Sequence, residues 1–539
     1  MRYGGASDLQ QDLDRYLRNE PVVARAPTTM YRVRKFVQRN RASVAIASVL
    51  VLGLLGAVAG ILTGMVRARA AEREAREQAA IAEATTRFLN EDLLSAVAPE
   101  KQGPDVKLRE VLDAASGLID ERFPDEPLTR AAIHRTVGEA YSRLGQDEDA
   151  YAHFERALDI RREVLGDRHV DTADSLNDFG AATAVRGDMR GGSDLLAEAL
   201  AILRETAGPD DARTLTCQRQ LASILVWQGR FEEAEPLYAD ALERARRALG
   251  PDHLETITLL NDYGLLYSRQ RRPAEAIPFL DEAYEGYLRI RGEQSADALV
   301  VASNLASCYF TLGNYEEAVP RFETLLENTV AVFGETHPKT YSVMNNLAIV
   351  YRRNGRNADS IPLLETIVAA RSEAHGPTHR STLTSMHNLG RAYLSAGRPG
   401  DAQRTLERTV RGRTEVYGDD HPKTLSSKSA LAYCYGRSGF VERALELDAA
   451  ILAHRAVLEA KDRRVLGLVL SRHGTHLAAA GRLDEAESAF REAERVFLTV
   501  ENVVPSDLER NRASMVELLE RLGRSEDAAA WRAKSTAAS

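Results

Sequence analysis

The sequence predicts an all-α fold built from one repeated helical hairpin. Ala, Leu, Glu and Arg dominate the 539 residues, and aromatic residues make up only 6%, a composition that favours helices. Glycine recurs every 42 residues from Gly145 to Gly523, with Arg271 in the one gap. A fixed period of this length indicates a solenoid, in which each unit buries its apolar face against its neighbours.

Residues 1–42 form a basic segment ahead of an acidic body. They carry nine Lys or Arg against four Asp or Glu, whereas the whole chain has a formal net charge of -9. The acidic remainder argues against nucleic acid as a partner, because phosphates are bound by a basic face. We expect this segment to be a cytoplasmic tail.

Residues 43–66 read SVAIASVLVLGLLGAVAGILTGMV, 24 residues without a charge. A helix of this length measures about 36 Å and would cross a hydrocarbon core of about 30 Å. More Arg and Lys precede this segment than follow it, which favours a cytoplasmic N-terminus. The sequence therefore predicts a transmembrane helix and a single-pass cell membrane protein whose repeats are extracytoplasmic (periplasmic).

Residues 67–103 are predicted to be a helical juxtamembrane stalk. A thin stripe of Ala and Leu along it could pair two chains into a homodimer, or could pack on the next domain. Residues 104–127 contain VKLREVLDAASGLIDERF, which we interpret as a capping helix for the repeats of residues 128–535.

Two columns of small residues mark where the helices of each hairpin cross. Seven residues before each turn stands Gly or Ala, as at Gly264 and Ala348, and five residues after it stands Ala, Gly or Ser, as at Ala276 and Ser360. Helices approach closely only where no bulky side chain intervenes. We therefore expect both columns to be buried at the helix crossing.

A small residue, Tyr three later, Gly four after that and Ala five further on is the pattern of the tetratricopeptide repeat. The 42-residue period and stretches such as GETHPKTYSVMNNLAIVYRRNG at 334–355 resemble the kinesin-light-chain type of this repeat. The resemblance covers residues 128–535 as about ten helix pairs. It implies a right-handed superhelix whose first helices line a concave face.

Histidine recurs in the loop before many first helices, with Thr three residues later each time, at His169, His253, His337, His379 and His421. Consecutive loops of a solenoid lie roughly 10 Å apart, too far for two His to share a metal at ~2.1 Å. We expect these residues to cap helices, and we predict no metal and no other cofactor. A separate pair, His473 and His476, is expected on the surface or in the groove.

Two neighbouring positions on each first helix carry a run of amides and carboxylates. Under the resemblance they line the concave face, where amides could hold the backbone of an extended peptide. The alternative is that they bond between adjacent repeats and stiffen the superhelix. The candidate peptide-binding residues are Asp178, Gln220, Asn261, Asp262, Asn304, Asn345, Asn346, Asn388, Arg353 and Arg391.

Kinase-like motifs occur in the chain, but they do not form a catalytic site. The DFG at 178–180 follows the APE at 98–100, the reverse of the order in kinases, and the sequence holds no Gly-rich phosphate loop or HRD motif. Residues 2–23, RYGGASDLQQDLDRYLRNEPVV, nevertheless resemble the end of a bacterial Ser/Thr kinase domain. Kinase end, span and repeats in this order resemble a receptor-like Ser/Thr protein kinase. No catalytic residue is predicted.

The sequence therefore predicts a non-catalytic, membrane-anchored scaffold that binds a peptide or protein partner in a concave repeat groove. Two other hypotheses remain open. The chain could be the C-terminal sensory or interaction fragment of a Ser/Thr protein kinase whose catalytic domain is missing. It could also be a structural spacer in a membrane-bound complex.

Overall fold

The computed structural model describes residues 4–24, 28–41, 45, 60–61, 63–65, 68–69, 72, 75–76, 78–88, 108–500 and 505–536. Every regular element in these ranges is a helix. Contacts divide the chain into two compact units, Met1–Asp167 and Arg168–Ser539. The all-α prediction is confirmed for this part of the chain.

The predicted transmembrane helix is wrong. Among the residues that the structure describes, no helix is long and apolar enough to cross a bilayer, which takes about 20 apolar residues. The prediction of a single-pass membrane protein with periplasmic repeats is wrong for the same reason.

Most of the predicted span and stalk lie outside the described residues. Within 43–66 the structure describes residues 45, 60–61 and 63–65, and within 67–103 it describes residues 68–69, 72, 75–76 and 78–88. The homodimer through the stalk therefore stays a prediction.

Among the described residues, the first unit contains six helices with defined ends, and the last two of them form one complete hairpin. The segment predicted to be one capping helix, residues 104–127, contains two shorter helices ahead of this hairpin, and its capping role stays a prediction. The helices are α1 (Ala6–Leu17), α2 (Thr29–Arg39), α3 (Leu108–Ser116), α4 (Ile119–Arg122), α5 (Pro127–Arg143) and α6 (Asp147–Leu165).

The second unit is a series of nine helical hairpins that pack one on the next. Its helices are α7 (Val170–Val185), α8 (Met189–Thr206), α9 (Ala212–Trp227), α10 (Phe231–Ala248), α11 (Leu254–Arg269), α12 (Pro273–Arg291), α13 (Ala296–Thr311), α14 (Tyr315–Phe333), α15 (Pro338–Arg353), α16 (Asn357–His375), α17 (Arg380–Ser395), α18 (Pro399–Tyr417), α19 (Pro422–Arg437), α20 (Val441–Leu452), α21 (Arg455–Lys461), α22 (Arg463–Ala479), α23 (Leu483–Leu498), α24 (Pro505–Arg521) and α25 (Ser525–Thr536). The second helix of the seventh of these hairpins is broken into α20 and α21. With the hairpin of the first unit, the described residues hold ten helix pairs, as predicted.

The small residues do lie at the helix crossings. A Cβ added to Gly264 would stand 2.7 Å from Leu280 Cγ, and one added to Gly390 would stand 2.6 Å from Leu406 Cγ. Ala348 and Ser360, from the two columns, are both fully buried. A leucine on the second helix therefore packs against the glycine that stands sixteen residues earlier on the first helix.

The loop histidines cap helices, as predicted. His337 Nδ1 accepts a hydrogen bond from the Lys339 amide at 3.2 Å, and Thr340 donates its hydroxyl to the Gly334 carbonyl at 2.7 Å. The second bond closes the loop on the end of the preceding hairpin. Each pair therefore fixes where one hairpin ends and the next begins.

Candidate peptide-binding face

Neighbouring first helices contact each other along most of the second unit. We call the surface formed by α7, α9, α11, α13, α15, α17, α19, α22 and α24 the first-helix face. All ten candidate residues lie on these helices, within the second unit. The structure therefore brings them to one face, although not all of them are available to a ligand.

Some of the amides bond to each other between repeats. Asn304 donates from Nδ2 to Asn261 Oδ1 at 3.1 Å, and Asn388 donates in the same way to Asn345 at 2.9 Å. Both bonds join residues 43 positions apart, so they link neighbouring first helices. At these positions the stiffening role has direct support.

A charged version of the same link lies nearer the start of the second unit. Arg219 donates to Glu255 at 2.7 Å and to Asp262 at 2.9 Å, and all three side chains are mostly buried. Burial opposes the charge of Arg219, but the two carboxylates raise its pKa above the ordinary value. Burial also raises the pKa of Asp262, although Arg219 and the Asn261 amide lower it in part. This network holds three helices, α9 and α11 directly and α13 through Asn261.

Two other members of the run, Asn346 and Gln220, are not used in this way. Asn346 makes no hydrogen bond with any described residue, although it occupies the same position as Asn304 and Asn388. Gln220 has a buried Oε1 without a hydrogen-bond partner among the described residues. Asp178 accepts a hydrogen bond from Asn177 at 3.4 Å. The amide of Asn346 is partly exposed and could be engaged by a ligand, whereas the unpartnered Oε1 of Gln220 is buried.

Arg353 and Arg391 border a cavity of about 300 Å³ on the first-helix face. The same cavity is lined by Arg352, Arg472, Arg510 and Tyr433, which were not among the predicted site residues. Arg472 follows Asn304, Asn346 and Asn388 at the same position of a later repeat. That change from an amide to a guanidinium was the one feature of the sequence that could have indicated a charged site here.

His473 and His476 contradict the expectation of surface or groove positions. His476 is 3% exposed, and its Nδ1 lies 2.7 Å from Oδ2 of Asp448, which is 1% exposed. His473 Nδ1 lies 3.3 Å from the same oxygen. The buried carboxylate of Asp448 on α20 is the partner of both rings. The spacing of the two histidines does not predict this partner. In the described ranges no group of three or more His, Cys, Asp or Glu could hold a metal ion.

Family models for the tetratricopeptide repeat match much of the chain. One matches residues 129–190, 213–289, 297–355 and 339–415, a second matches 172–213 and a third matches 467–492. No curated protein is detectably similar to the chain. The resemblance of residues 2–23 to a kinase domain lies outside the matched residues and stays a prediction.

Several solved structures are similar in fold. A putative kinesin light chain with nearly identical repeats from Podosopora anserina is 24% identical over 39% of this chain and 98% of its own, with a TM-score of 0.35. BtubC (BKLC) from P. vanneervenii is 25% identical over 44% and 94%, with a TM-score of 0.38. A Rap protein in complex with competence and sporulation factor is 13% identical over 68% and 97%, with a TM-score of 0.45.

Stacked hairpins with a polar face of first helices define a helical-repeat protein. The matched models identify the repeats as tetratricopeptide repeats, as the sequence pattern predicted. The chain is thus a tetratricopeptide repeat protein suited to protein–protein interaction, and this fold is typically non-catalytic.

Proposed function

We propose that this protein is a non-catalytic scaffold that binds an extended peptide segment of a partner along its first-helix face. The observation that carries the proposal is the free amide of Asn346. It stands on the same face as the bonded amides of Asn304 and Asn388, yet no described residue satisfies it. An amide can donate to and accept from a peptide backbone at the same time.

The proposal assigns different roles to residues that the sequence placed in one run. Asn304 and Asn388 stiffen the array, because their amides are bonded to the neighbouring first helix. Asn346 binds ligand, because it is partly exposed and no described residue bonds its amide, and Gln220 contributes only to the packing of the face, because its unpartnered Oε1 is buried. Binding is spread over many repeats, so no single contact accounts for most of the affinity.

The test compares two Asn residues one repeat apart. Peptides that bind the wild-type chain are first selected from a displayed library of random 12-residue sequences. Asn346→Ala should weaken their binding about fivefold to tenfold, the worth of about 1 kcal/mol of hydrogen bonding, with an unchanged melting temperature. Asn388→Ala should lower the melting temperature, because it removes a bond between repeats.

The two variants control for each other, since each replaces the same side chain on the same face. Selected peptides that bind wild type and Asn346→Ala equally would contradict the proposal. A spacer without a binding role, the alternative hypothesis, predicts that no peptide is selected whose binding depends on this face.

A further inference from the structure

The cavity on the first-helix face is surrounded by positive charge. Arg352 and Arg353 reach it from α15, Arg391 from α17, Arg472 from α22 and Arg510 from α24. These helices belong to four of the five hairpins between Pro338 and Thr536, so guanidinium groups from residues 352 to 510 meet around about 300 Å³ of space. No carboxylate lines the cavity.

The three arginines of α15 and α17 have no acceptor among the residues that the structure describes. Arg352, Arg353 and Arg391 form neither a hydrogen bond nor an ion pair with any residue in the described ranges. Arginines elsewhere on the hairpins are commonly paired, as Arg356 is with Asp359 at 2.7 Å and Arg398 with Asp401 at 2.6 Å. The guanidinium donors at the cavity are therefore left for something outside the chain.

The other two arginines are only partly compensated. Arg472 donates to the hydroxyl of Ser429 at 2.8 Å and lies 4.9 Å from the centre of the Tyr433 ring. Both partners are neutral, so they orient the guanidinium but do not neutralise its charge. Arg510 is exposed, and its nearest carboxylate is Asp507, 3.9 Å away.

The charges act on one another. Burial and the charges of Arg352, Arg472, Arg353 and Arg464 together lower the pKa of Arg391 to about 9. Burial and Arg353 lower the pKa of Arg352 to about 10. Arg352 and Arg391 are still protonated at neutral pH, but at a free-energy cost that an anion would remove.

The start of the second unit shows how the same fold neutralises an arginine. There Arg219 is bonded to Glu255 and Asp262. Four repeats later the three equivalent positions hold His387, Lys423 and Ala430. His387 is buried beside the arginines, and burial followed by Arg413 and Arg391 holds its pKa well below the ordinary value. The ring is therefore neutral at neutral pH and does not compensate the charge of the arginines.

We propose that this cavity binds an oxyanion group with more than one negative charge, carried by the bound peptide as a phosphorylated side chain or as adjacent carboxylates. Planar guanidinium groups match both kinds of oxyanion through paired hydrogen bonds, and clusters of Arg suit such ligands. One carboxylate would neutralise one guanidinium, whereas the cavity holds at least three unpaired ones. The inference rests on the proposed function, since it names the chemistry of the peptide that the face binds.

The test uses the full chain and three peptides of 12 residues with the same Ala, Gly and Ser background. The first has a central phosphoserine, the second has two adjacent Glu and the third has Ser only; inorganic pyrophosphate serves as the anion alone. Isothermal titration should show that the phosphoserine peptide or the two-Glu peptide binds at least tenfold tighter than the Ser peptide. Comparison of these two identifies the source of the anion.

The variants are Arg391→Gln and, as the matched control, Arg408→Gln. Arg408 is exposed on α18, away from the cavity, and its replacement changes the net charge equally. Arg391→Gln should weaken binding of pyrophosphate and of the tighter anionic peptide at least tenfold, while Arg408→Gln should leave it within twofold. Arg391→Lys should recover only part of the loss, because Lys cannot form the paired contact.

The outcomes separate the two proposals. Anionic peptides that bind no tighter than the Ser peptide, or that bind Arg391→Gln as they bind wild type, would overturn the inference and leave the peptide proposal to the Asn346→Ala test. Pyrophosphate binding that needs Arg391, without binding of any peptide, would support an anion site and contradict the peptide proposal. Circular dichroism and melting curves show whether each variant is folded.

Discussion

Arg271 occupies a backbone conformation that nine glycines occupy at the equivalent turns. Its φ is 59°, and those glycines have φ between 70° and 105°. In this left-handed region a Cβ approaches the following carbonyl oxygen, at a cost of roughly 1–2 kcal/mol. One turn of the array is therefore strained by its own residue type.

We expect Arg271→Gly to raise the free energy of unfolding by about 1 kcal/mol, because glycine adopts this conformation without the clash. Thermal and urea unfolding would measure the change. Arg271→Ala is the matched control, since it removes the same long side chain and keeps the Cβ. Equal stabilisation by Ala and Gly would show that the side chain and not the backbone was the source of strain.

Residue positions in this fold could be predicted where backbone geometry alone decides them. The turn glycines and the small residues at the crossings follow from steric limits that hold in every repeat. The role of an individual amide could not be predicted in that way. Asn304, Asn346 and Asn388 have the same position and residue type, and the fold bonds two of them and leaves the third free.

The hairpin of α5 and α6 contains a pair of buried histidines. His134 and His153 face each other with their Nδ1 atoms 2.8 Å apart, and His153 Nε2 lies 2.8 Å from the Ser116 hydroxyl. Burial lowers the pKa of both rings, and with His134 nearby the pKa of His153 falls to about 4. Neither ring is charged at neutral pH, so one of them donates to the other.

Acid should destabilise this hairpin. Because the pKa of His153 is lower in the folded chain than its ordinary 6.5, protons bind the unfolded state more tightly. The stability that is present above pH 6.5 is lost as the pH falls towards 4, by about 3 kcal/mol at most. NMR titration of the imidazole Cε1 protons would measure the pKa of His153. One resonance should shift only near pH 4 and should be missing from His153→Gln. A complete set of resonances that titrate near 6.5 would contradict the assignment.

Ion pairs also link neighbouring first helices, as those of Arg219 do between α9 and α11. Arg219→Leu would leave Glu255 and Asp262 buried without their cation, and we expect a loss of about 3 kcal/mol in the free energy of unfolding. Adding Asp262→Asn to Arg219→Leu should recover part of this loss, since it removes one of the unpaired charges. Urea unfolding of the single and double variants is the measurement. A double variant that is less stable than Arg219→Leu would show that the carboxylates had found another partner.

Element boundaries were more predictable than element interactions. The loop of His337 and Thr340 marks a helix start in sequence and forms that start in the structure. In contrast, the break between α20 and α21 follows no change in the turn pattern, and the buried Asp448 that binds two histidines has no signal in their spacing. Such interactions depend on how adjacent helices rotate against each other.

At the scale of the whole molecule, repeat architecture could be predicted but the distribution of charge could not. A period of 42 residues repeats often enough to identify the fold from sequence. The arginines at the cavity occupy different repeat positions, so only stacking of α15, α17, α22 and α24 brings them together. The membrane prediction used the hydrophobicity of residues 43–66 alone, and no helix in the part of the chain that the structure describes is long and apolar enough to cross a bilayer.

The unpaired charge at the cavity should reduce stability, and this can be measured without any ligand. We expect Arg391→Gln to raise the free energy of unfolding by about 1 kcal/mol at low ionic strength, because it removes repulsion by Arg352, Arg353 and Arg472. Salt screens that repulsion, so the difference between variant and wild type should shrink as NaCl rises from 0.02 M to 0.5 M. Melting curves across this range measure the difference, and Arg408→Gln should show almost none. If Arg391→Gln were destabilising at low salt, Arg391 would have a structural partner and the cavity would not hold surplus charge for a ligand.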